Sequence, residues 1–152
     1  MKKFELTNES EIWEKCTLYR IRALISFGKV AEGEIGGWVE RESNLSQDGN
    51  AWVTGNAWVT GNARLTDNAQ LQKNDDYMTI SPIGSSNGTF TAYRTKDGSI
   101  ECTRGCFVGS VDEFEEAVAK THGENEYAKQ YQAVIALVRL RLLINESIER
   151  RR

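Results

Sequence analysis

The stretch from Gly49 to Asn74 reads GNAWVT GNAWVT GNARLT DNAQLQ KN and is a six-residue tandem repeat. Two of its columns are apolar and stand two positions apart, so on an extended chain they point to the same side. The first column contains Ala51, Ala57, Ala63 and Ala69, and the second contains Val53, Val59, Leu65 and Leu71. The repeat therefore predicts short extended segments that bury one face.

Between these segments the repeat places Gly, Asp or Lys followed by Asn, and Gly and Asn tolerate the positive φ of a sharp corner. A hairpin meander needs longer strands, and an amphipathic helix needs a spacing of 3.6 residues. Neither requirement fits a six-residue repeat. A solenoid that stacks each strand on a later copy is compatible with both the short strands and the period of six. The pattern resembles the hexapeptide-repeat left-handed β-helix, whose coils take three units. We therefore predict a mainly β plus α fold, with a short left-handed parallel β-helix followed by a small antiparallel sheet and two C-terminal helices.

Two tryptophans, Trp52 and Trp58, occupy columns that point outward in this prediction. Exposed indoles are costly on a monomer, so we expect them to lie at a subunit interface, with stacking on a ligand as the alternative. A short solenoid also has open ends, which favours capping or self-association.

The sequence divides into an N-terminal strand and repeat domain, residues 1–75, and a hairpin and two-helix domain, residues 76–152. In the first, Tyr19, Ile21, Ala23 and Ile25 alternate with other residues, which predicts a half-buried strand. In the second, strands are expected over 77–83, 89–94, 99–103 and 106–108, around turns rich in Gly.

A capping box, Ser110 with Glu113, predicts the start of a first C-terminal helix that runs to about Thr121 and stops at Gly123. A second helix is expected from Glu124 or Asn125 towards Glu149. Apolar residues cover most of its circumference, which favours burial against a partner subunit as well as against its own domain. We expect a homodimer or homotrimer, and the predicted interface residues on this helix are Leu137, Leu140 and Ile144.

Composition limits the classes of function. The net charge of -3 argues against a protein that coats long nucleic acid, although the last fourteen residues hold five Arg and two Glu. Three cysteines, Cys16, Cys102 and Cys106, have no metal-ligand spacing and suit a reducing compartment. Without an apolar leader or a long apolar run, we expect a cytoplasmic protein that binds neither membrane nor metal.

Beyond the repeat, several motifs resemble a family of repeat proteins found in phage and prophage genomes, most of which have no assigned activity. The resemblance rests on Tyr19–Leu24, Gly36–Glu40, Asn44–Gln47, Gly49–Val53, Ile83–Ser85, Arg94–Gly98, Gly105–Phe107 and His122–Tyr127. It implies a protein that acts in the cytoplasm of a host bacterium. Small phage proteins of this kind often blunt host defences, by holding a nucleotide signal or by blocking an effector protein.

An acyltransferase is the enzyme class to consider, because hexapeptide-repeat β-helices often house one with a histidine as general base. The single histidine, His122, lies well past the repeat, and the repeat contains no His or Cys and one carboxylate, Asp67. This reading therefore ranks third.

Candidate ligand-binding residues lie in the C-terminal domain. The loop from Gly84 to Gly88 offers backbone amides and the hydroxyls of Ser85 and Ser86, which can cradle phosphate, or it is a bare hairpin turn. An arginine pair with amide donors suits an anionic ligand. His122 either contacts that ligand or caps the junction between the two helices through a carbonyl. The full predicted set is Ser85, Ser86, Arg94, Arg104, His122 and Tyr127.

The sequence thus favours a non-enzymatic binding protein without a cofactor that sequesters a small anionic, nucleotide-like signal or blocks a host defence protein. The alternative is a structural or assembly protein whose repeat serves only to bring subunits together.

Overall fold

The computed structural model describes residues 2–66 and 68–143. The chain divides into two compact units, Met1–Asp76 and Tyr77–Arg152. Each unit has its own sheets and its own buried core.

The first unit begins with a long hairpin. Strand β1, Phe4–Trp13, pairs antiparallel with β2, Cys16–Ala23, and β2 pairs antiparallel with β3, Ile35–Val39. The turn between β1 and β2 has only two residues, which forces antiparallel pairing. The alternation predicted around Ile21 is confirmed at Ile21 and Ala23, which are buried while Arg22 between them is exposed, whereas Ile25 lies beyond the end of β2.

The repeat forms very short strands. They are β4, Trp52–Val53, β5, Trp58–Val59, and β6, Gln70–Leu71. Strand β5 pairs parallel with β3, and β4 pairs parallel with β6, while Leu45 and Leu65 form an isolated parallel bridge. All eight alanines and branched residues of the two apolar columns are at most 2% exposed, so the predicted burial of these columns is confirmed. Gly49, Gly55 and Gly61 have φ of 73°, 63° and 65°, as the predicted corners require.

The predicted left-handed parallel β-helix is wrong as a description of this unit. Its main sheet is mixed, in the order β1-β2-β3-β5, and β4 and β6 form a separate two-stranded sheet. The reason is the length of the first three strands. Strands β1 and β2, of ten and eight residues, and β3 form the antiparallel part of the sheet. Of the two-residue repeat strands, β5 joins this sheet, whereas β4 and β6 pair with each other. Two short 3₁₀ turns, Glu42–Asn44 and Asn74–Asp76, complete the unit.

The outward orientation predicted for Trp52 is also wrong. Trp52 is 1% exposed and meets the ring of Phe27 edge-on, with centroids 5.4 Å apart. Gly36 makes room for it, because a Cβ there would lie 2.7 Å from the indole. Trp58 is half-buried against Trp13, with centroids 4.4 Å apart. Both indoles therefore have aromatic partners in their own unit, and an interface role for Trp58 stays a prediction.

A buried lysine links the N-terminus to the repeat. Lys3 is 1% exposed, and its Nζ donates hydrogen bonds to the carbonyl oxygens of Ala51 at 2.9 Å and Gly49 at 3.3 Å. The ammonium also lies 4.7 Å from the centroid of the Phe27 ring. Burial lowers the pKa of Lys3 from 10.5 to about 8, although Asp48 acts in the opposite direction.

The second unit is an antiparallel sheet covered by helices, as the sequence predicts for this region. The strand order is β10-β9-β8-β7. The strands are β7, Tyr77–Ile83, β8, Gly88–Arg94, β9, Ile100–Arg104, and β10, Phe107–Ser110. The helices are α1, Val111–His122, and α2, Glu126–Val138, and a π-helical turn, Arg139–Leu143, follows α2.

Local signals set the helix ends in this unit. The predicted capping box is confirmed, since Ser110 Oγ accepts from the Glu113 amide at 3.1 Å and Glu113 Oε1 accepts from the Ser110 amide at 2.9 Å. Gly123 ends α1 with φ of 61°, and Asn125 caps α2 by accepting from the Ala128 amide. The continuation of α2 towards Glu149, with the predicted interface residue Ile144, lies outside the described residues.

The helix α2 buries one face and exposes another. Tyr131, Val134, Ile135 and Val138 pack into a core with Phe90, Ala92 and Phe114. Leu137 and Leu140 are 47% and 59% exposed. Their predicted role at a subunit interface stays a prediction.

Candidate functional site

A cleft of about 210 Å³ opens in the second unit where the sheet turns meet the two helices. The β7–β8 turn supplies Ser85, the end of β9 supplies Arg104, and the start of β10 supplies Phe107. Helices α1 and α2 complete it with Phe114, Ala117, Val118, Thr121, His122 and Tyr131. The cleft therefore has aromatic and aliphatic walls and a polar rim.

Arg104 brings a positive charge to this rim. Its Nε donates to the Tyr131 hydroxyl at 2.9 Å, and its Nη2 donates to Ser86 Oγ at 2.6 Å and to the Ile83 carbonyl at 3.4 Å. Among the described residues, the guanidinium makes no ion pair with a carboxylate, and its Nη1 has no hydrogen-bond partner. The arginine is thus held in place by neutral groups and keeps an uncompensated charge.

Tyr131, on α2, contacts residues of the cleft on α1 and in the hairpin turn. Its ring meets Phe114 edge-on at a centroid distance of 5.4 Å and stacks on His122 at 6.0 Å with an interplanar angle of 22°. Gly84 lets the ring approach the hairpin, because a Cβ there would lie 2.0 Å from the tyrosine hydroxyl. Gly88 likewise lets Arg104 approach the hairpin, because a Cβ at Gly88 would lie 2.5 Å from Cζ of the guanidinium.

His122 lies at the last residue of α1, half-buried between two tyrosine rings. Besides Tyr131, it contacts Tyr127 at a centroid distance of 5.7 Å. Across residues 2–66 and 68–143, the imidazole makes no hydrogen bond. The alternative in which the ring caps the helix junction through a carbonyl is therefore not seen. The junction is closed by the backbone instead, where the Asn125 amide donates to the His122 carbonyl at 3.2 Å.

Of the predicted ligand-binding residues, the structure places Ser85, Arg104 and His122 in the wall of one cleft. Ser86 and Tyr127 do not line the cleft themselves: Ser86 accepts a hydrogen bond from Arg104, and Tyr127, 38% exposed, packs against His122. Arg94 does not line the cleft. It lies at the end of β8 and donates from Nη2 to the Leu142 carbonyl at 3.1 Å. The expected arginine pair is therefore not assembled.

The loop from Gly84 to Gly88 behaves as a hairpin turn. The Gly84 amide donates to Gln130 Oε1 at 3.1 Å, and the Asn87 amide donates to the Gly84 carbonyl at 3.3 Å. Gly84 and Asn87 have φ of 78° and 52°. These amides are already bonded within the chain, so the phosphate-cradle interpretation loses two of its donors.

Three aromatic residues of the cleft, Phe107, Phe114 and Tyr131, were not among the predicted site residues. They come from β10, α1 and α2, and only the packing of these elements brings them together. Phe107 and Phe114 have ring centroids 5.2 Å apart. The sequence feature that could have indicated Phe114 is its spacing from Val118 on α1, which places both residues on the face that meets the sheet.

The three cysteines differ in burial. Cys102 is buried under α1, and burial, with smaller contributions from Glu101 and Glu113, raises the pKa of its thiol to about 12. Burial also raises the pKa of Cys16, helped by its hydrogen bond with Glu40. Cys106 is exposed in the turn between Arg104 and Phe107.

The described part of the chain contains no group of three or more His, Cys, Asp and Glu side chains arranged to hold a metal ion. Of its helices, none combines the length and the apolar character that crossing a membrane demands.

Comparison with known proteins gives one partial similarity. No protein-family model matches the chain. Over 61 residues it is 33% identical to a protein of Escherichia coli (strain K12) described as the uncharacterized acetyltransferase YdcK. The similar stretch covers 35% of this chain and 19% of that protein, so the chain spans a small part of its relative. The similarity is compatible with hexapeptide-repeat proteins, and it stands as a likeness over part of the chain.

Proposed function

We propose that the chain is a non-enzymatic binding protein whose second unit takes a small anionic, nucleotide-like ligand with a planar ring. The observation that carries the proposal is the cleft itself. It combines an arginine and an imidazole above a wall of aromatic rings; among the described residues, the arginine has no carboxylate partner and the imidazole makes no hydrogen bond. Concave apolar sites with a few convergent polar groups are the usual form of small-molecule sites.

The anionic part of the ligand is expected at Arg104. An uncompensated guanidinium that is partly removed from water gains most by donating hydrogen bonds to a carboxylate or a phosphate oxygen. Its free Nη1 supplies the donors for that contact, while Tyr131 and Ser86 keep the group oriented. Serine and threonine hydroxyls on the same rim, from Ser85 and Thr121, add neutral donors.

The planar part of the ligand is expected against the aromatic wall. Phe107 and Phe114 already pack on each other, and His122 stacks on Tyr131. Such rings attract another ring through stacked or edge-to-face contacts. The unbonded imidazole nitrogens of His122 can also hydrogen-bond to the ligand.

The biological setting belongs to this proposal as well. The resemblance to phage repeat proteins would make the ligand a host nucleotide signal, and counter-defence the purpose of holding it. Blocking of a host protein is the other form of this function. Self-association through the exposed Leu137 and Leu140 would add a second copy of the cleft to each assembly.

The proposal is tested by a thermal-shift screen with AMP and other nucleotides, together with mass spectrometry of small molecules released from the purified protein. A ligand that binds the folded chain raises its melting temperature. We expect a shift that is lost in Arg104→Gln and kept in Arg139→Gln. Arg139 is a suitable control because it pairs with Asp112 and Glu115 and does not line the cleft. Absence of any shift with anions, together with tight capture of one host protein, would favour protein blocking.

A second candidate function is acyl transfer, which the partial similarity to a described acetyltransferase favours. In that case His122 would accept the proton of an acceptor hydroxyl or amine as this group attacks the carbonyl of a thioester donor; the acyl group passes to the acceptor, and the sulfur leaves as a thiol that takes up the proton. Incubation with acetyl-CoA and a range of acceptors would then release thiol, and His122→Gln would abolish the release. Without thiol release above the rate of buffer alone, this candidate is set aside.

A further inference from the structure

We propose that the part of the ligand held in the cleft is a single aromatic ring system that carries one acidic group close to the ring. Aromatic carboxylates and aryl monophosphates have this chemistry, and cyclic dinucleotides do not. The inference rests on the proposed function, since it names the ligand class of the same cleft.

The size of the cleft limits the ring system. Pockets for drug-sized ligands hold roughly 300–1,000 Å³. The cleft measures about 210 Å³ and is bounded by the hairpin turn on one side and the end of α1 on the other. One ring system and one attached group fill such a space, whereas a molecule with two bases and two phosphates would leave most of its surface in solvent.

The charge of the cleft limits the acidic groups. Arg104 is the one residue with a permanent positive charge among the described residues that line it. The helix α1 beside it has the sequence VDEFEEAVAKTH. Of its four carboxylates, Asp112 and Glu115 pair with Arg139, and its one lysine, Lys120, does not line the cleft. Among the described lining residues, the guanidinium is therefore the one favourable place for negative charge.

Tyr131 sets the distance between the two parts of the ligand. Its hydroxyl contacts Arg104 at 2.9 Å, while its ring contacts Phe114 and His122. The anion site and the aromatic wall therefore lie at opposite ends of one tyrosine side chain. A ligand that uses both must carry its acidic group close to its ring, either directly on the ring, as in benzoate, or one link away, as in a mononucleotide whose ribose joins the base to a single phosphate.

The test is isothermal titration calorimetry of the whole, unmodified chain with four probes: benzoate, phenyl phosphate, the uncharged isostere benzamide, and cyclic di-AMP. We expect benzoate and phenyl phosphate to bind, and benzamide to bind at least roughly tenfold more weakly because it loses the charged hydrogen bonds. Cyclic di-AMP should release no heat of binding and should not displace benzoate.

Two results would overturn the inference and leave the proposed function in place. One is benzamide binding as tightly as benzoate, which would show that the acidic group is not recognised. The other is cyclic di-AMP displacing benzoate and binding more tightly than it. Failure of benzoate, phenyl phosphate and cyclic di-AMP to bind, together with no thermal shift from AMP in the screen above, would overturn the inference and the proposed function together.

Discussion

The hydroxyl of Tyr131 accepts a hydrogen bond from Nε of Arg104 at 2.9 Å, and this contact joins helix α2 to the end of strand β9. Gly84 faces the same hydroxyl from the hairpin turn. The contact orients the one guanidinium of the cleft, so the account of ligand binding depends on it.

Tyr131→Phe should weaken both the fold and the anion site. The substitution removes the acceptor of a charged donor but keeps the ring against Phe114 and His122. We expect the free energy of unfolding to fall by about 1–2 kcal/mol, with a weaker affinity for benzoate. Urea denaturation and calorimetry measure the two effects. Tyr19→Phe is the control, because Tyr19 lies on β2 in the first unit and the described residues offer its hydroxyl no hydrogen bond; a similar loss there would contradict the prediction.

Gly84→Ala should be more damaging than Gly105→Ala. Both glycines have positive φ, 78° and 59°, so each substitution brings backbone strain of about 1 kcal/mol. At Gly84 the new Cβ would also lie 2.0 Å from the Tyr131 hydroxyl, whereas at Gly105 it would meet no atom within 4 Å. We expect an additional loss of about 1–3 kcal/mol at Gly84 in equilibrium unfolding, as for other overpacked sites. Equal losses would show that Tyr131 does not occupy this place.

Lys3 should make stability rise with pH in the alkaline range. Burial lowers its pKa to about 8 in the folded chain, against 10.5 as the ordinary value. Between these two values the unfolded chain binds more protons than the folded chain, so the free energy of unfolding increases as pH rises through this window.

Lys3→Met removes this titration. Urea denaturation of both proteins at pH values below and inside the window should therefore show a steeper rise for the wild type. Parallel pH profiles would mean that the Lys3 pKa is not lowered. The comparison uses the difference between the two proteins, which isolates the contribution of Lys3.

The three thiols should react in a fixed order. Cys106 is exposed, while burial raises the pKa of Cys102 to about 12 and also raises that of Cys16. Since the thiolate is the reactive form, iodoacetamide at mildly alkaline pH should label Cys106 first and Cys102 only after unfolding. Peptide mass spectrometry over time follows the order, and Cys106→Ser should lose the fast phase. Early labelling of Cys102 would show that the core under α1 opens readily.

Local patterns of the sequence predicted much of the second unit. The strand predicted over 77–83 coincides with β7, and the capping box of Ser110 and Glu113 starts α1 as predicted. These features depend on residues close together in the chain. The burial of the two apolar columns of the repeat follows from the same kind of short-range spacing.

Long-range packing explains what the sequence did not predict. The column that holds Trp52 points outward if the repeat forms a solenoid, but Gly36 and Phe27 create a cavity that takes the indole. The lengths of β1 and β2 likewise make the first sheet mixed. In the second unit, the sequence indicates the polar candidates Arg104 and His122, whereas Phe114 and Tyr131 reach the cleft only through the packing of α1 and α2 and are not predicted.

The most direct test of the central claim is proton NMR of His122, the one histidine in the sequence, during titration of the wild-type chain with benzoate. Its imidazole signals are therefore identified without any variant. The account predicts saturable shifts of these signals with benzoate and much smaller shifts with benzamide. Calorimetric binding of benzoate that leaves the His122 signals unmoved would place the anion elsewhere and contradict the account.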